Sequence, residues 1–258
     1  MEIVLTIAGS DPSGGAGIQQ DLRTIESLGC YGASVITALT TQNTLGVQSV
    51  MPVPADVVKS QLEAVLSDLD VKAIKIGQIP SADVAHAIAE TLSHQLSILN
   101  SQFSIVLDPV MISTSGRRLM SEDAIDVVVS ELFPLCTLIT PNIPEMETLS
   151  GLSGFNACNY NILIKGGHAE GSEMADRLCL ANGTERVYAT EKINSTNLHG
   201  TGCALSSAIA SSLALGYTLE DSVARGKDYV TEAIRRGKDL DIGHGNGPIF
   251  YKRIDNNE

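Results

Sequence analysis

Basic residues are scarce in this sequence: 17 Lys and Arg face 30 Asp and Glu, a formal net charge of -13 over 258 residues. A field of that sign repels a nucleic-acid backbone or an anionic membrane surface, so neither is expected as a partner. It does not exclude an anionic nucleotide, which metal ions and local backbone donors can screen. Paired cysteine motifs are missing as well. Cys30, Cys136, Cys158, Cys179 and Cys203 are odd in number and free of C-x-x-C, which argues against a disulfide framework or structural zinc and for a reducing compartment. Long apolar runs are also absent. The opening run, Ile3–Ala8, is too short for a signal h-region or a membrane span, and the expected location is cytoplasmic. With no linker, repeat or low-complexity tract and 43% hydrophobic residues, the chain is expected to bury one large core as a single domain, 1–258.

What is present is an alternation. Short apolar runs at Ile3–Ala8, Ser34–Leu39, Ala73–Ile76, Ser104–Leu107, Thr137–Thr140 and Ile162–Lys165 read as strands. Segments of helical period lie between most of them: Gly17–Leu28, Ala55–Leu69, Ala82–Leu96, Glu122–Phe133 and Ile143–Leu149. Two further short strands around Asn182-Gly183 form a hairpin signal, followed by helices over Thr201–Leu215 and Leu219–Arg236. Repeated βαβ units imply a mostly parallel sheet with helices on both faces and a ligand crevice at the carboxyl ends of the strands.

The residues at those ends carry chemistry. His199-Gly200-Thr201-Gly202-Cys203 precedes an Ala- and Ser-rich helix, and successive amides at a helix start favour an anion such as a transferring phosphoryl group. A tight turn is the plainer reading of the same glycines. Gly9 to Gly17 is a second glycine-rich turn, without the spacing of a P-loop or a dinucleotide fold, and reads as a lid or wall of an acceptor site. Asp21 on the next helix would take a hydrogen bond from an acceptor. Asp108 and Glu145, at neighbouring strand ends, offer hard oxygen ligands suited to Mg²⁺, and Lys165 before Gly166-Gly167 offers a point charge for phosphate. Taken singly, each of these also has an ordinary structural reading as turn, cap or solvated side chain.

Together, A-G-S-D-P-S-G-G-A-G-I-Q-Q-D-L from Ala8 to Leu22, V-I-T-A-L-T-T-Q-N-T from Val35 to Thr44, D-P-V-M, T-P-N-I-P-E, L-I-K-G-G-H and H-G-T-G-C resemble the hydroxymethylpyrimidine/phosphomethylpyrimidine kinases of thiamine biosynthesis. The resemblance implies a ribokinase-like three-layer αβα sandwich with a central, mostly parallel sheet, and two successive ATP-dependent phosphorylations of 4-amino-5-hydroxymethyl-2-methylpyrimidine, with ATP and Mg²⁺ as cofactors. It implies that Gly9, Asp21, Gln42 and Val110 contact the pyrimidine. Asn142, Lys165, Gly167, His199 and Thr201 would lie on the nucleotide side, and Asp108 and Glu145 on the metal side. Gly200, Thr201, Gly202, Cys203 and Lys165 would form the catalytic group, with Cys203 standing where sugar kinases carry a catalytic aspartate. A helix terminus that favours the thiolate would let Cys203 assist deprotonation. Relatives commonly form homodimers. Pyridoxine or pyridoxal kinase and a non-catalytic pyrimidine-binding relative are the competing readings.

The chain departs from the family pattern in three places. Gln78 follows Lys75-Ile76-Gly77 where a methionine is usual, making the pocket wall more polar. Leu198 replaces the threonine before H-G-T-G-C and removes a hydroxyl near the nucleotide. Between Leu149 and Ile162 an amphipathic helix is missing, which leaves one face of the sheet partly uncovered. A true deletion, cover by a neighbouring subunit, or residues missing from the chain as read would each account for this.

Overall fold

The computed structural model describes residues 1–98, 102–113, 116–168 and 173–250. Nine strands form one sheet: β1 Ile3–Ser10, β2 Tyr31–Asn43, β3 Gly46–Pro52, β4 Val71–Ile76, β5 Ser104–Leu107, β6 Leu138–Ile139, β7 Ile162–His168, β8 Glu173–Cys179 and β9 Glu185–Glu191, in the order β3-β2-β1-β4-β5-β6-β7-β8-β9. The six strands from β2 to β7 in that order run parallel, and β3, β8 and β9 add antiparallel edges. Strand order reverses between β1 and β4, and the loops leaving their carboxyl ends frame a crevice at that switch point.

Helices cover both faces. On one lie α2 (Ala55–Asp68), α3 (Ala82–Ile98), α4 (Glu122–Val127) and α5 (Ile143–Ser150), packed through Leu62, Ile88, Ile125 and Leu149. On the other lie α1 (Gly17–Ser27), α6 (Thr201–Ala214) and α7 (Leu219–Gly237), packed through Ile25, Leu205, Ile209 and Val230. The sequence-based expectation of a three-layer αβα sandwich therefore holds. In α6 every residue from Ala204 to Ser212 is buried. Small side chains let it sit tightly between sheet and α7, and Ser206 and Ser211 return their hydroxyls to the carbonyls of Gly202 and Ser207.

Three expectations need correction. β2 runs on to Asn43 and turns through Thr44-Leu45 into β3, which was not foreseen. That turn lacks the Asn-Gly or Asp-Gly signature of two-residue hairpins, and β3 is an edge strand ending in Pro52. The helix expected over Glu122–Phe133 is α-helical only to Val127, then widens into a π turn, Val128–Leu132, and tightens into a 3₁₀ turn, Phe133–Leu135. Pro134 has no amide proton to continue the α ladder, and the backbone changes pitch before it. Finally, the segment after α5 holds only a 3₁₀ turn, Ala157–Asn159, yet Phe155 and Tyr160 pack on Phe133 with ring centroids 6.3 and 5.6 Å away, closing that end of the core. Among the described residues the open apolar position near this edge is instead on β9, where Val187 is 65% exposed.

Candidate active site

A cavity of about 480 Å³ opens at the carboxyl strand ends, walled by the loops after β1, β4, β5 and β6, by Lys165 and Gly166 of β7 and by the start of α6. Of the sequence-predicted residues, Gly9, Gln42, Val110, Asp108, Asn142, Glu145, Lys165, His199, Gly200, Thr201, Gly202 and Cys203 all line it. Asp21 and Gly167 do not. Gly167 pairs with Ala175 in the β7–β8 ladder, and its neighbour Gly166 faces the cavity.

Asp21 is a correction in chemistry as well as in place. It is fully buried; Oδ2 accepts from the Thr6 hydroxyl at 2.6 Å and from Lys75 Nζ at 2.8 Å, and Oδ1 accepts from the Ser207 hydroxyl at 2.9 Å. It pairs with Lys75, a fully buried cation that borders the cavity. Burial alone would lower the pKa of Lys75, but the Asp21 carboxylate, with Asp108 beyond it, raises it well above the ordinary value.

The two glycine-rich turns interlock. Asp11 is almost completely buried and organises the first turn: Oδ1 accepts from the Ser13 amide and hydroxyl and Oδ2 from the Ala16 amide. The same Oδ2 meets His199 Nε2 at 2.8 Å, and Gln42 Nε2 reaches that ring nitrogen at 3.0 Å. Burial opposes its ionisation, yet the His199 and Ser13 contacts win and hold the Asp11 carboxyl below its usual range. Glycine is required where the turns touch. Gly200 has φ +84°, and a Cβ there would fall 1.9 Å from the Gly15 carbonyl oxygen. His199, expected on the nucleotide side, instead ties the second turn to the first.

At the start of α6 the Gly202 and Cys203 amides have no hydrogen-bond partner among the described residues, and no side chain caps the helix. They are two free donors at the positive end of a 14-residue helix. A Cβ on Gly202 would lie 3.4 Å from Lys165 Nζ and 3.3 Å from Asp108 Oδ2, so cation, carboxylate and amides share one small volume. Lys165 pairs with Asp108 Oδ1, which also accepts from Thr140 at 3.3 Å. Burial would discharge Lys165, but Asp108 and Glu145 hold it protonated with a raised pKa.

Glu145 and Asn142 form a reciprocal cap on α5: Asn142 Oδ1 accepts from the Glu145 amide and Glu145 Oε2 from the Asn142 amide, each at 2.9 Å. Burial, with the Asp108 charge adding to it and Lys165 opposing it, pushes the Glu145 carboxyl up to about 7. A carboxylate in that state lies in a site short of positive charge. Among the described residues no three His, Cys, Asp or Glu side chains are grouped to hold a metal by themselves. Asp108 and Glu145 are two carboxylates on one wall, a donor set that would need waters or phosphate oxygens to complete the shell of a hard cation.

The Cys203 thiol does not meet the thiolate expectation. Burial, with Asp21 and Asp108 nearby, pushes it up to about 11 despite Lys75 and a Gly17 amide that work the other way, so it is a neutral thiol in the free protein.

Comparison with known proteins finds relatives over nearly the whole chain. The family model described as Phosphomethylpyrimidine kinase matches residues 11–250. A hydroxymethylpyrimidine/phosphomethylpyrimidine kinase of Rhizobium meliloti is 43% identical over 265 residues, covering 96% of each chain. Among solved structures, a phosphomethylpyrimidine kinase from Clostridium difficile is 41% identical with a TM-score of 0.74, over 91% of this chain and all of the other. A Bacillus subtilis pyridoxal kinase in complex with ADP superposes over both full chains with a TM-score of 0.85 at 28% identity.

Proposed function

The chain belongs to the phosphomethylpyrimidine kinase family, with its ribokinase-like fold, and we propose that it phosphorylates the hydroxymethyl group of 4-amino-5-hydroxymethyl-2-methylpyrimidine with ATP and then extends the monophosphate to the diphosphate. The observation that carries this reading is the pair of free amides of Gly202 and Cys203 beside Lys165 and Asp108.

In this reading the acceptor ring lies against Gly9, Gln42 and Val110, with its hydroxymethyl group toward Cys203. Lys165 and the α6 amides hold the γ-phosphoryl group, whose charge spreads over its outer oxygens in a loose transition state. Asn142, Gly166 and Thr201 face the nucleotide. Asp108 and Glu145 would hold Mg²⁺, which supplies charge neutralisation at the β- and γ-phosphates when bound. Cys203 lies beside the attacking oxygen as a thiol. Because such a transition state needs little base strength early, the amides and Lys165 carry most of the stabilisation; the acceptor proton passes to an oxygen of the transferred phosphoryl group, and the neutral Cys203 thiol orients the attacking hydroxyl by a hydrogen bond. All nine strands share one sheet, which supports reading residues 1–258 as one kinase domain.

A coupled ADP-release assay with the pyrimidine alcohol, with pyridoxal and with no acceptor tests the proposal. Turnover with the pyrimidine in clear excess over pyridoxal is the expected result; equal or greater turnover with pyridoxal would reassign the acceptor. Cys203→Ala is expected to lower kcat by about 2- to 10-fold, the worth of one neutral hydrogen bond, and unchanged turnover would remove the thiol from the mechanism.

A further inference from the structure

The donors and acceptors around Gln42 fix which way its carboxamide faces. One end of that group lies 3.0 Å from His199 Nε2 and the other 3.4 Å from Thr40 Oγ1. His199 Nε2 also lies 2.8 Å from Asp11 Oδ2. Asp11 accepts from the Ser13 and Ala16 amides, and against its burial the His199 and Ser13 contacts hold its carboxyl below the usual range, so it acts as an acceptor only. His199 Nε2 must therefore carry a proton and donate it. An orientation of Gln42 with its nitrogen toward His199 fails, because a protonated ring nitrogen cannot accept from an NH₂ group. It fails at the other end too: Thr40 Oγ1 has a single proton, already given to the Ser10 carbonyl at 2.9 Å, and none is left for the Gln42 oxygen. Half a turn about the last side-chain bond exchanges two atoms of nearly equal size and removes both conflicts. Oxygen then meets His199 Nε2–H, and nitrogen meets a lone pair of Thr40 Oγ1.

We infer that Asp11, His199 and Thr40 are positioning residues of the acceptor site, which lock the Gln42 carboxamide with its oxygen toward His199 and its nitrogen toward Thr40. Each end keeps one valence for a ligand, a lone pair on the oxygen and an N–H on the nitrogen. The lock is tightly built. A Cβ on Gly15 would fall 2.3 Å from His199 Cδ2, so only glycine leaves room for the ring, and the Ala16 amide fixes Asp11 Oδ2 at 2.9 Å. The inference rests on the acceptor reading above and deepens it by stating which way round the heterocycle binds. In the 4-aminopyrimidine the ring nitrogen, the amino-bearing carbon and the hydroxymethyl-bearing carbon are consecutive. With the amino group on the Gln42 oxygen and the ring nitrogen on its N–H, the hydroxymethyl group comes to the His199 end, from which the chain leads through Gly200 to Cys203. The reverse orientation of the carboxamide would turn that group toward Thr40, away from the α6 amides.

The test uses two acceptors that differ in the order of donor and acceptor along this edge: 4-amino-5-hydroxymethyl-2-methylpyrimidine and its 4-oxo counterpart, whose ring N–H and carbonyl invert it. The parent is compared with His199→Gln, which keeps an N–H donor at about the reach of Nε2, and with His199→Phe, which has none. In kcat/KM the parent should favour the amino compound by about 5- to 150-fold, the cost of mispairing a buried polar group. His199→Gln should keep most of that ratio. His199→Phe should reduce it by about 10-fold, because the carboxamide is then free to turn. A purely structural role for His199 would lower turnover of both compounds alike, and an unchanged ratio in His199→Phe would overturn the inference. A ¹H–¹⁵N spectrum of the histidine rings in the parent needs no variant to fold: a proton on His199 Nε2 is expected, and a bare Nε2 would overturn the lock. If the parent phosphorylates neither compound, the kinase reading fails by itself. The preference between the two compounds in titration calorimetry, with the same variants, then decides the lock, and binding of neither would overturn it.

Discussion

The buried Asp21–Lys75 pair separates two accounts of the same residue, because an acceptor contact and a structural counterion respond differently to substitution. Both side chains are fully buried and 2.8 Å apart. Asp21→Asn keeps the volume and leaves the Lys75 charge without its partner, a change that costs about 3–5 kcal/mol for a buried pair. For a chain of this size about 1 kcal/mol moves the melting temperature by roughly 2 °C, so a drop of about 6–10 °C is expected. Adding Lys75→Met removes the stranded charge. What remains is an imperfect hydrogen bond to Thr6 or Ser207, about 1 kcal/mol each, so the double variant should recover most of the loss. Urea unfolding of the parent, both single variants and the double variant gives the coupling energy directly. Strictly additive losses, or a single-variant cost under about 1 kcal/mol, would refute the counterion account. If Asp21→Asn left stability intact and raised only the KM for the acceptor, Asp21 would belong in the site after all.

Three further outcomes follow from the same geometry. Gly200→Ala combines a left-handed backbone worth about 1–2 kcal/mol with a Cβ 1.9 Å from the Gly15 oxygen. It should separate the two turns, lowering melting temperature and cutting kcat/KM by about 10²-fold or more, and a variant that turns over normally would contradict the interlock. Glu145 has a folded pKa raised to about 7 from 4.5, so its contribution is fully present below pH 4.5 and is lost as pH rises through 7, by up to about 3 kcal/mol. The stability difference between the parent and Glu145→Gln should therefore shift in favour of the variant from pH 5.5 to 8, while stabilisation of the parent by Mg²⁺ and ATP should grow over that range; a flat difference would refute it. Leu198→Thr restores a hydroxyl on the cavity wall at a side chain already 41% exposed. It should lower the KM for ATP about 2- to 10-fold, the worth of one neutral hydrogen bond, without loss of stability, as steady-state kinetics and a melting curve will show.

Much of the fold was legible because its signals are local. Ser104–Leu107 is a strand with the expected bounds, and the glycine-rich turns stand where strand ends and helix starts predict them. The candidate residues Asp108, Asn142, Glu145 and Lys165 could be found because each closes an apolar run or stands within five residues of its end. What escaped depends on partners far apart in sequence. Asp21 meets Lys75 across 54 positions, and Asp11 meets His199 across 188. Nothing in the spacing of either residue announces that its charge is consumed internally. The polarity of Asp21 suggested a ligand contact, and only the packing of α1 and α6 against the sheet shows that Thr6, Lys75 and Ser207 surround it.

The distribution of charge within the site accounts for how so acidic a chain accepts a polyanion. Around the start of α6, Lys75 is neutralised by Asp21 and Lys165 by Asp108, which leaves Glu145 without a cation of its own and its carboxyl pushed up to about 7. Neither lysine thus adds a full free charge to attract ATP. Attraction falls instead to the unpaired amides of Gly202 and Cys203 and to a cation arriving with the nucleotide. In the proposed reading such a site rests with its own charges paired and would gain full electrostatic complementarity when metal and phosphate bind. In that reading, exchange of the Asp108 contact for a phosphate contact would free Lys165 for the transferring group.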